Sequence, residues 1–242
     1  MPVTLQNQVV LVIGASSGIG REIAMLFARE GARVMAAARR QDRLLGLQKA
    51  LAGEGLPIEI EACDASHAAD MQRLAAHTHE RLGPVNVLVY VTGTNTPDRS
   101  LKRLTPELWD RLVSVNLNGA YYASAAVLPS MRERRSGHLI FISSISGLVP
   151  DVSGAAYQAA KRGIIGLAHA IRVEEKENHI RTCAVCPGLV DTEILDLRPV
   201  KPPPEMLAQA LQPIDVAEAV LAVAKLPPRA AVPELQILPT VL

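Results

Sequence analysis

Tyr157 and Lys161 stand four residues apart in the stretch Ser144-Ile-Ser-Gly-Leu-Val-Pro-Asp-Val-Ser-Gly-Ala-Ala-Tyr157-Gln-Ala-Ala-Lys161. On a helix that spacing places both side chains one turn apart on the same face. An ammonium near a phenol favours the phenolate and draws it from its ordinary pKa of about 10 toward a working pH, where it serves as a general acid or base. Ser144 follows the apolar run Leu139-Ile-Phe-Ile142, so a strand would deliver its hydroxyl to the edge of a sheet. A hydroxyl there can hold a substrate oxygen while the phenol exchanges its proton. The Tyr-x-x-x-Lys spacing alone equally suits a packed tyrosine beside a surface lysine, so the surrounding elements must decide.

Short β-branched runs alternate along the chain with longer amphipathic stretches. Val9-Val-Leu-Val-Ile13 is too short for a helix and predicts a buried parallel strand. Gly14-Ala-Ser-Ser-Gly18-Ile-Gly20 follows at once, and a helical pattern then runs through Glu30. Glycines between a strand and a helix let backbone N–H groups approach a pyrophosphate, which the helix N-terminus favours electrostatically. That order predicts dinucleotide binding rather than a plain structural cap.

Arg33 to Ala38 predicts a second strand, whose end should lie beside an adenosine ribose. An acidic residue there would hold the 2'-hydroxyl of NAD; Arg39 and Arg40 stand in its place, and a guanidinium suits a 2'-phosphate. The expectation is NADP(H), with Arg40 also suited to be a solvated residue opening the next helix. A third strand, Ile58 to Cys63, leads to Asp64, placed either to cap the following helix or to receive an adenine amino group. Further strands are predicted over Val85 to Val91, Leu139 to Ile142, Ile180 to Cys186 and Leu235 to Leu238, with a long helical region over about 106–135 and a last helix over Asp215 to Lys225. Asn116 falls inside the long region, where an Asn marks a kink or a bound water. The segment from about 189 to 210, ending its irregular part in Lys-Pro-Pro-Pro, predicts a loop over the active site. Leu, Val, Pro and Met dominate it, which points to an apolar or modestly polar substrate.

With 242 residues, 49% hydrophobic and 20% charged, the chain suits one α/β domain, 1–242. A net charge of +1 and 3% aromatic residues give no reason to expect nucleic acid or an anionic membrane as partner. No apolar run approaches the roughly 18 residues of a spanning helix, and the start, Met1-Pro-Val-Thr-Leu-Gln, lacks the charged region of a signal peptide, so a cytoplasmic location is expected. Three cysteines argue against a disulfide framework, and Cys183 and Cys186 lie along a predicted buried strand, where they read as packed thiols. His77 and His79, two apart on a helix with no third ligand nearby, read as surface residues; no metal site is expected.

The glycine turn, the Asn116 segment, Ser144, Tyr157-Gln-Ala-Ala-Lys161 and Pro187-Gly-Leu-Val-Asp-Thr192 together resemble the short-chain dehydrogenase/reductase family, in the same order over nearly the whole chain. The resemblance implies a Rossmann-type doubly wound parallel sheet of about seven strands with helices on both faces. It implies a ketone or aldehyde interconverted with an alcohol, with Tyr157 as acid/base and Ser144 orienting the substrate oxygen. Lys161 would lower the phenol pKa and hold the nicotinamide ribose, and Asn116 would keep a water that relays protons through it. The cofactor contacts implied are Gly14, Ser16, Ser17, Gly18, Ile19 and Gly20 at the first turn, Arg39, Arg40 and Asp64 around the adenosine, Gly93 beside the ribose, and Pro187, Gly188, Val190 and Thr192 beside the nicotinamide. It also implies a homodimer or homotetramer built through the helices carrying Asn116 and Tyr157 and the last strand. Two alternatives are a 3-oxoacyl reductase whose substrate rides on a carrier protein docked at Arg132, Arg134 and Arg135, and a non-catalytic dinucleotide binder. The second arises because Tyr90-Val-Thr-Gly93 replaces the family's Asn-Asn-Ala-Gly, adding bulk beside the ribose, and Ile13 replaces a usual Thr.

Overall fold

The computed structural model describes residues 4–241, so the first three residues of the uncharged N-terminal stretch lie outside it. The chain alternates strand and helix from its start: β1 Val9–Ile13, α1 Gly18–Arg29, β2 Arg33–Ala38, α2 Gln41–Gly53, β3 Glu59–Ala62, α3 Ala68–Leu82 and β4 Val87–Tyr90. It continues through α4 Pro106–Val113, a π-helical turn Ser114–Asn118, α5 Gly119–Arg134, β5 Gly137–Ile142, α6 Ala155–Glu174 and β6 Ile180–Pro187. The short α7 Pro204–Leu207, then α8 Pro213–Ala224 and β7 Glu234–Ile237, complete it.

The seven strands form one parallel sheet in the order β3-β2-β1-β4-β5-β6-β7. Because the central strands are covered on both faces, they are continuous apolar runs, and alternate residues feed two cores. Val10 and Val12 of β1 pack with Ile23 and Phe27 of α1, Leu44 of α2 and Val216 of α8. Val9, Leu11 and Ile13 pack on the other face with Met71 of α3, Val127 of α5 and Ile164 of α6. Strand order reverses between β1 and β4, and a doubly wound sheet opens a ligand crevice at the carboxyl ends of the strands at that point.

The region anticipated as one helix over about 106–135 is interrupted. Asn116 Nδ2 donates to the Leu112 carbonyl four residues back (2.8 Å), so a side chain competes with the backbone ladder there, and the Gly119 N–H reaches Ser114 O. A π-turn is the outcome of such competition. It frees the Val115 carbonyl, which accepts a 2.6 Å hydrogen bond from the Tyr90 hydroxyl.

Of the two bulky replacements after β4, Thr92 lines the crevice as expected, whereas Tyr90 turns away from it. Tyr90 is completely buried and belongs to the same core as Ile13, its partner across β1 and β4. It ties β4 to the π-turn and does not line the crevice. Ile13 likewise points into that core, while its carbonyl accepts from the N–H groups of Val91 (2.8 Å) and Thr92 (3.1 Å).

Candidate active site

One cleft of about 650 Å³ lies at the switch point, within the usual range for a small-molecule site. One end of it is the first glycine turn. Gly14 and Gly18 hold φ of +105° and +52°, and a Cβ on Gly20 would sit 2.2 Å from Gly14 O, so the turn admits no side chains there. Ser17, at the N-terminal cap of α1, makes no side-chain capping bond, which leaves the N–H groups of the first turn of α1 for a ligand.

Ser16, Ser17, Ile19, Arg39, Arg40 and Asp64 line the same end. Burial works against ionisation of Asp64, but hydrogen bonds from the Ser66 N–H and hydroxyl and the charge of Arg39 outweigh it and hold the carboxyl below its ordinary range. Asp64 thus caps the turn before α3 and faces the cleft at once. Arg40 donates to Ser16 Oγ and to Ser17 Oγ (2.6 Å) and pairs with Glu193, which also pairs with Arg43. These two guanidinium groups pull the Glu193 carboxyl down to about 2.

At the other end, β5 delivers Ser144, and α6 carries Tyr157 and Lys161 on its first two turns. The Ser143 hydroxyl donates to Lys161 O (2.7 Å), pinning α6 to the end of β5. Ser144 Oγ accepts from the Ser146 N–H at 3.1 Å, which fixes its rotamer toward the cleft. Lys161 Nζ donates to Ile142 O (2.9 Å) and lies 5.6 Å from the centroid of the Tyr157 ring.

Burial pushes the Lys161 ammonium down to about 8 and the Tyr157 phenol up to about 12. Ser144, Arg198 and Arg99 pull the phenol back, while Asp151 pushes it further up. The Lys161 ammonium is directed at the Ile142 carbonyl, and burial is the largest influence on the phenol.

Gly93, Pro187, Gly188, Val190 and Thr192 also line the cleft. Asn116 does not. It is fully buried behind Gly93, with Nδ2 donating to Thr94 O and Oδ1 accepting from the Thr94 N–H. A Cβ at Gly93 would meet Asn116 Oδ1 at 3.1 Å and Lys161 Nζ at 3.3 Å, so this glycine keeps the two together. Asn116 positions the β4 loop.

The anticipated loop over the site is partly ordered: Glu193–Leu197 form a 3₁₀ turn, and Val190 bridges to Leu211. The site also carries more charge than the composition of that loop implies. Arg99, Asp151, Glu193 and Arg198 all line the cleft, so the apolar composition of the loop does not describe the lining of the site. No motif spacing marks Arg99. The only available signal was topological, since the segment after β4 must run past the crevice at the switch point.

Cys183 and Cys186 project into opposite cores, and burial first of all pushes their thiols up to about 12 and 11, so they form no redox pair. His77 pairs with Glu61, and among the described residues no cluster could hold a metal ion. Arg132 grips Glu175, Arg134 donates to Val85 O and Arg135 to Glu177 O. Only Arg132 has its charge paired by a carboxylate; Arg134 and Arg135 are held by backbone carbonyls.

The family model of the short chain dehydrogenases matches residues 8–200. The chain belongs to that family. It is 37% identical to a putative ketoacyl reductase of Streptomyces coelicolor over 78% of this chain and 73% of the relative. Among solved structures, a variant of actinorhodin polyketide ketoreductase with NADPH superposes with a TM-score of 0.89, at 31% identity over 99% of this chain and 98% of the other. An alcohol dehydrogenase from the archaeon Thermococcus sibiricus, complexed with 5-hydroxy-NADP, gives a TM-score of 0.87 at 28% identity over 97% of both chains. No helix among the described residues is long and apolar enough to cross a membrane.

Proposed function

We propose that the protein is an NADP(H)-dependent oxidoreductase that interconverts a ketone or aldehyde with an alcohol. The observation that carries this reading is the convergence of Ser144, Tyr157 and Lys161 on the same cleft as the glycine turn and the Arg39–Arg40 pair. The residues suit a dinucleotide: a turn without side chains, open helix N–H groups and a basic adenosine end. The NADP-type ligands of the two solved relatives support the same choice.

When bound, the nicotinamide supplies or accepts the hydride. The remaining work belongs to the chain. Ser144 Oγ orients the substrate oxygen by a hydrogen bond. Tyr157 Oη gives that oxygen its proton in reduction and takes it in oxidation. Lys161 holds the nicotinamide ribose, and Pro187, Gly188, Val190 and Thr192 hold the nicotinamide end. Gly14 to Gly20 hold the pyrophosphate, and Asp64 takes the adenine edge. The test is loss of nicotinamide absorbance on mixing the protein with NADPH and a panel of ketones and aldehydes. Turnover is the expected result, and none with either NADPH or NADH would leave only a dinucleotide binder.

Arg39 and Arg40 read the 2'-phosphate. Arg39→Ala is expected to narrow the preference for NADPH over NADH by about tenfold, the scale of one charge-assisted contact. Glu193 competes with that phosphate for Arg40 and Arg43, so Glu193→Gln should tighten NADPH and leave NADH unchanged. Fluorescence titration with both cofactors measures each change.

The protein works as a cytoplasmic homodimer or homotetramer assembled through α4, α5, α6 and β7. Exposed Trp109 on α4, Tyr121 on α5 and Val173 on α6 support this. Light scattering is expected to return twice or four times the chain mass of 25.9 kDa; a monomeric mass would contradict it.

A further inference from the structure

Arg99 is more than nine-tenths buried, and its segment is built to stay there. Asn95 Nδ2 donates to Ser153 O (3.1 Å), locking the loop after β4 to the start of α6. Gly154, with φ of +92°, admits no Cβ because one would lie 2.6 Å from both Cβ and O of Arg99. The Arg99 backbone thus packs directly on the helix that carries Tyr157.

The guanidinium donates from Nε to Thr96 O (3.0 Å) and from one terminal nitrogen to Leu197 O (2.6 Å). Two of its five N–H groups are accounted for by these carbonyls. Arg198, next to Leu197, lines the cleft as well, and the two cations repel each other. Among the described residues neither forms an ion pair. Asp151 also lines the cleft and its charge acts on Arg99, but its oxygens are held by other donors. It accepts from the Ser153 N–H (2.8 Å), the Ser153 hydroxyl (3.0 Å) and the Ser146 hydroxyl. Arg99 packs against the start of the Tyr157 helix and holds Leu197 O, next to Arg198, so both arginines lie at the Tyr157 end of the cleft.

A buried cation with no ion-pair partner in contact is costly unless one arrives. A planar guanidinium takes a carboxylate in a paired, directional way. We infer that Arg99 and Arg198 form the carboxylate subsite of this cleft, and that the substrate is an oxo acid or the corresponding hydroxy acid. The subsite rests on the oxidoreductase reading for its reaction, while the anion recognition stands on the arginines themselves. Because Arg99 is held against the start of the Tyr157 helix, the carboxylate must be within a few bonds of the carbonyl carbon. The carboxylate bonds to the arginines, and Ser144 and Tyr157 are left to the carbonyl oxygen.

The test uses three short oxo acids, pyruvate, acetoacetate and levulinate, each against its methyl ester, with NADPH. Wild-type protein is expected to favour at least one acid over its ester by about 10- to 100-fold in kcat/KM, the scale of one or two charged hydrogen bonds. Arg198→Met and Arg99→Met should each erase most of that ratio, mainly through KM, and the same chain length should win throughout. Arg99 also ties two loops, so Arg198→Met decides if Arg99→Met fails to fold. Thermal shift of the protein by each acid and ester, with and without NADPH, reads binding apart from turnover. Equal handling of every acid and ester overturns the subsite even when neutral ketones are reduced. Turnover of no carbonyl, with a thermal shift by an acid that Arg198→Met abolishes, would overturn the oxidoreductase reading and leave the subsite standing.

Discussion

Tyr157→Phe is expected to lower turnover by ~10²- to 10⁴-fold, the usual worth of a general acid or base, while NADPH still binds. The substitution removes one oxygen from a half-buried ring at the wall of the cleft and leaves the ring in its packing, so the fold should survive. The structure adds a pH argument to this expectation. Burial raises the phenol to about 12, with Ser144, Arg198 and Arg99 pulling it down. A group with a raised pKa stays protonated below that value, so at neutral pH Tyr157 is ready as the acid for carbonyl reduction. Alcohol oxidation needs the phenolate, whose share grows about tenfold per pH unit up to the pKa. The oxidation rate should therefore climb with pH across the range where reduction stays nearly flat. Undiminished turnover in Tyr157→Phe, or an oxidation rate indifferent to pH, would contradict the assignment.

Mild acid should destabilise the wild-type protein through a residue outside the site. His138 on β5 is buried with no partner for Nδ1, and burial, helped by Arg181, lowers its pKa to about 3. The unfolded chain takes up a proton near pH 6.5 that the folded state refuses. Stability is complete above the unfolded value and is lost as pH falls from about 6.5 toward 3. By about pH 5 the loss should reach roughly 2 kcal/mol, before carboxylates with ordinary unfolded values begin to contribute. His138→Leu is expected to flatten that part of the profile, measured as urea unfolding at several pH values. Equal slopes for variant and wild type would mean that His138 reaches water or a partner.

The fold was legible because its signals are local. Val9 to Ile13 and Arg33 to Ala38 are apolar runs that only a two-sided parallel sheet buries, and both strands have the expected ends. Ser144, Tyr157, Lys161 and the glycine turn could be found because each is set by spacing along one element. Tyr90 could not be read correctly from sequence. Bulk at a strand end says nothing about which face it takes, and its partner is a carbonyl released by a π-turn 25 residues away. Asn116 pointed to an irregular helix, yet its own side chain opens the turn and then seals it against Thr94. Arg99 and Arg198 have no sequence signature at all. Their meaning depends on two segments meeting across the cleft, with Arg99 donating to Leu197 O over a separation of 98 residues.

The measurement that most directly tests hydride transfer at this site is deuterium tracing. The protein would be mixed with NADPH deuterated at nicotinamide C4, in either face, together with the carbonyl panel, and the products analysed by mass and NMR. The account predicts one deuterium on the carbinol carbon from one face only, and loss of that product in Tyr157→Phe. Binding of NADPH without deuterium on any product carbon would contradict it and leave a protein that holds the dinucleotide without using it.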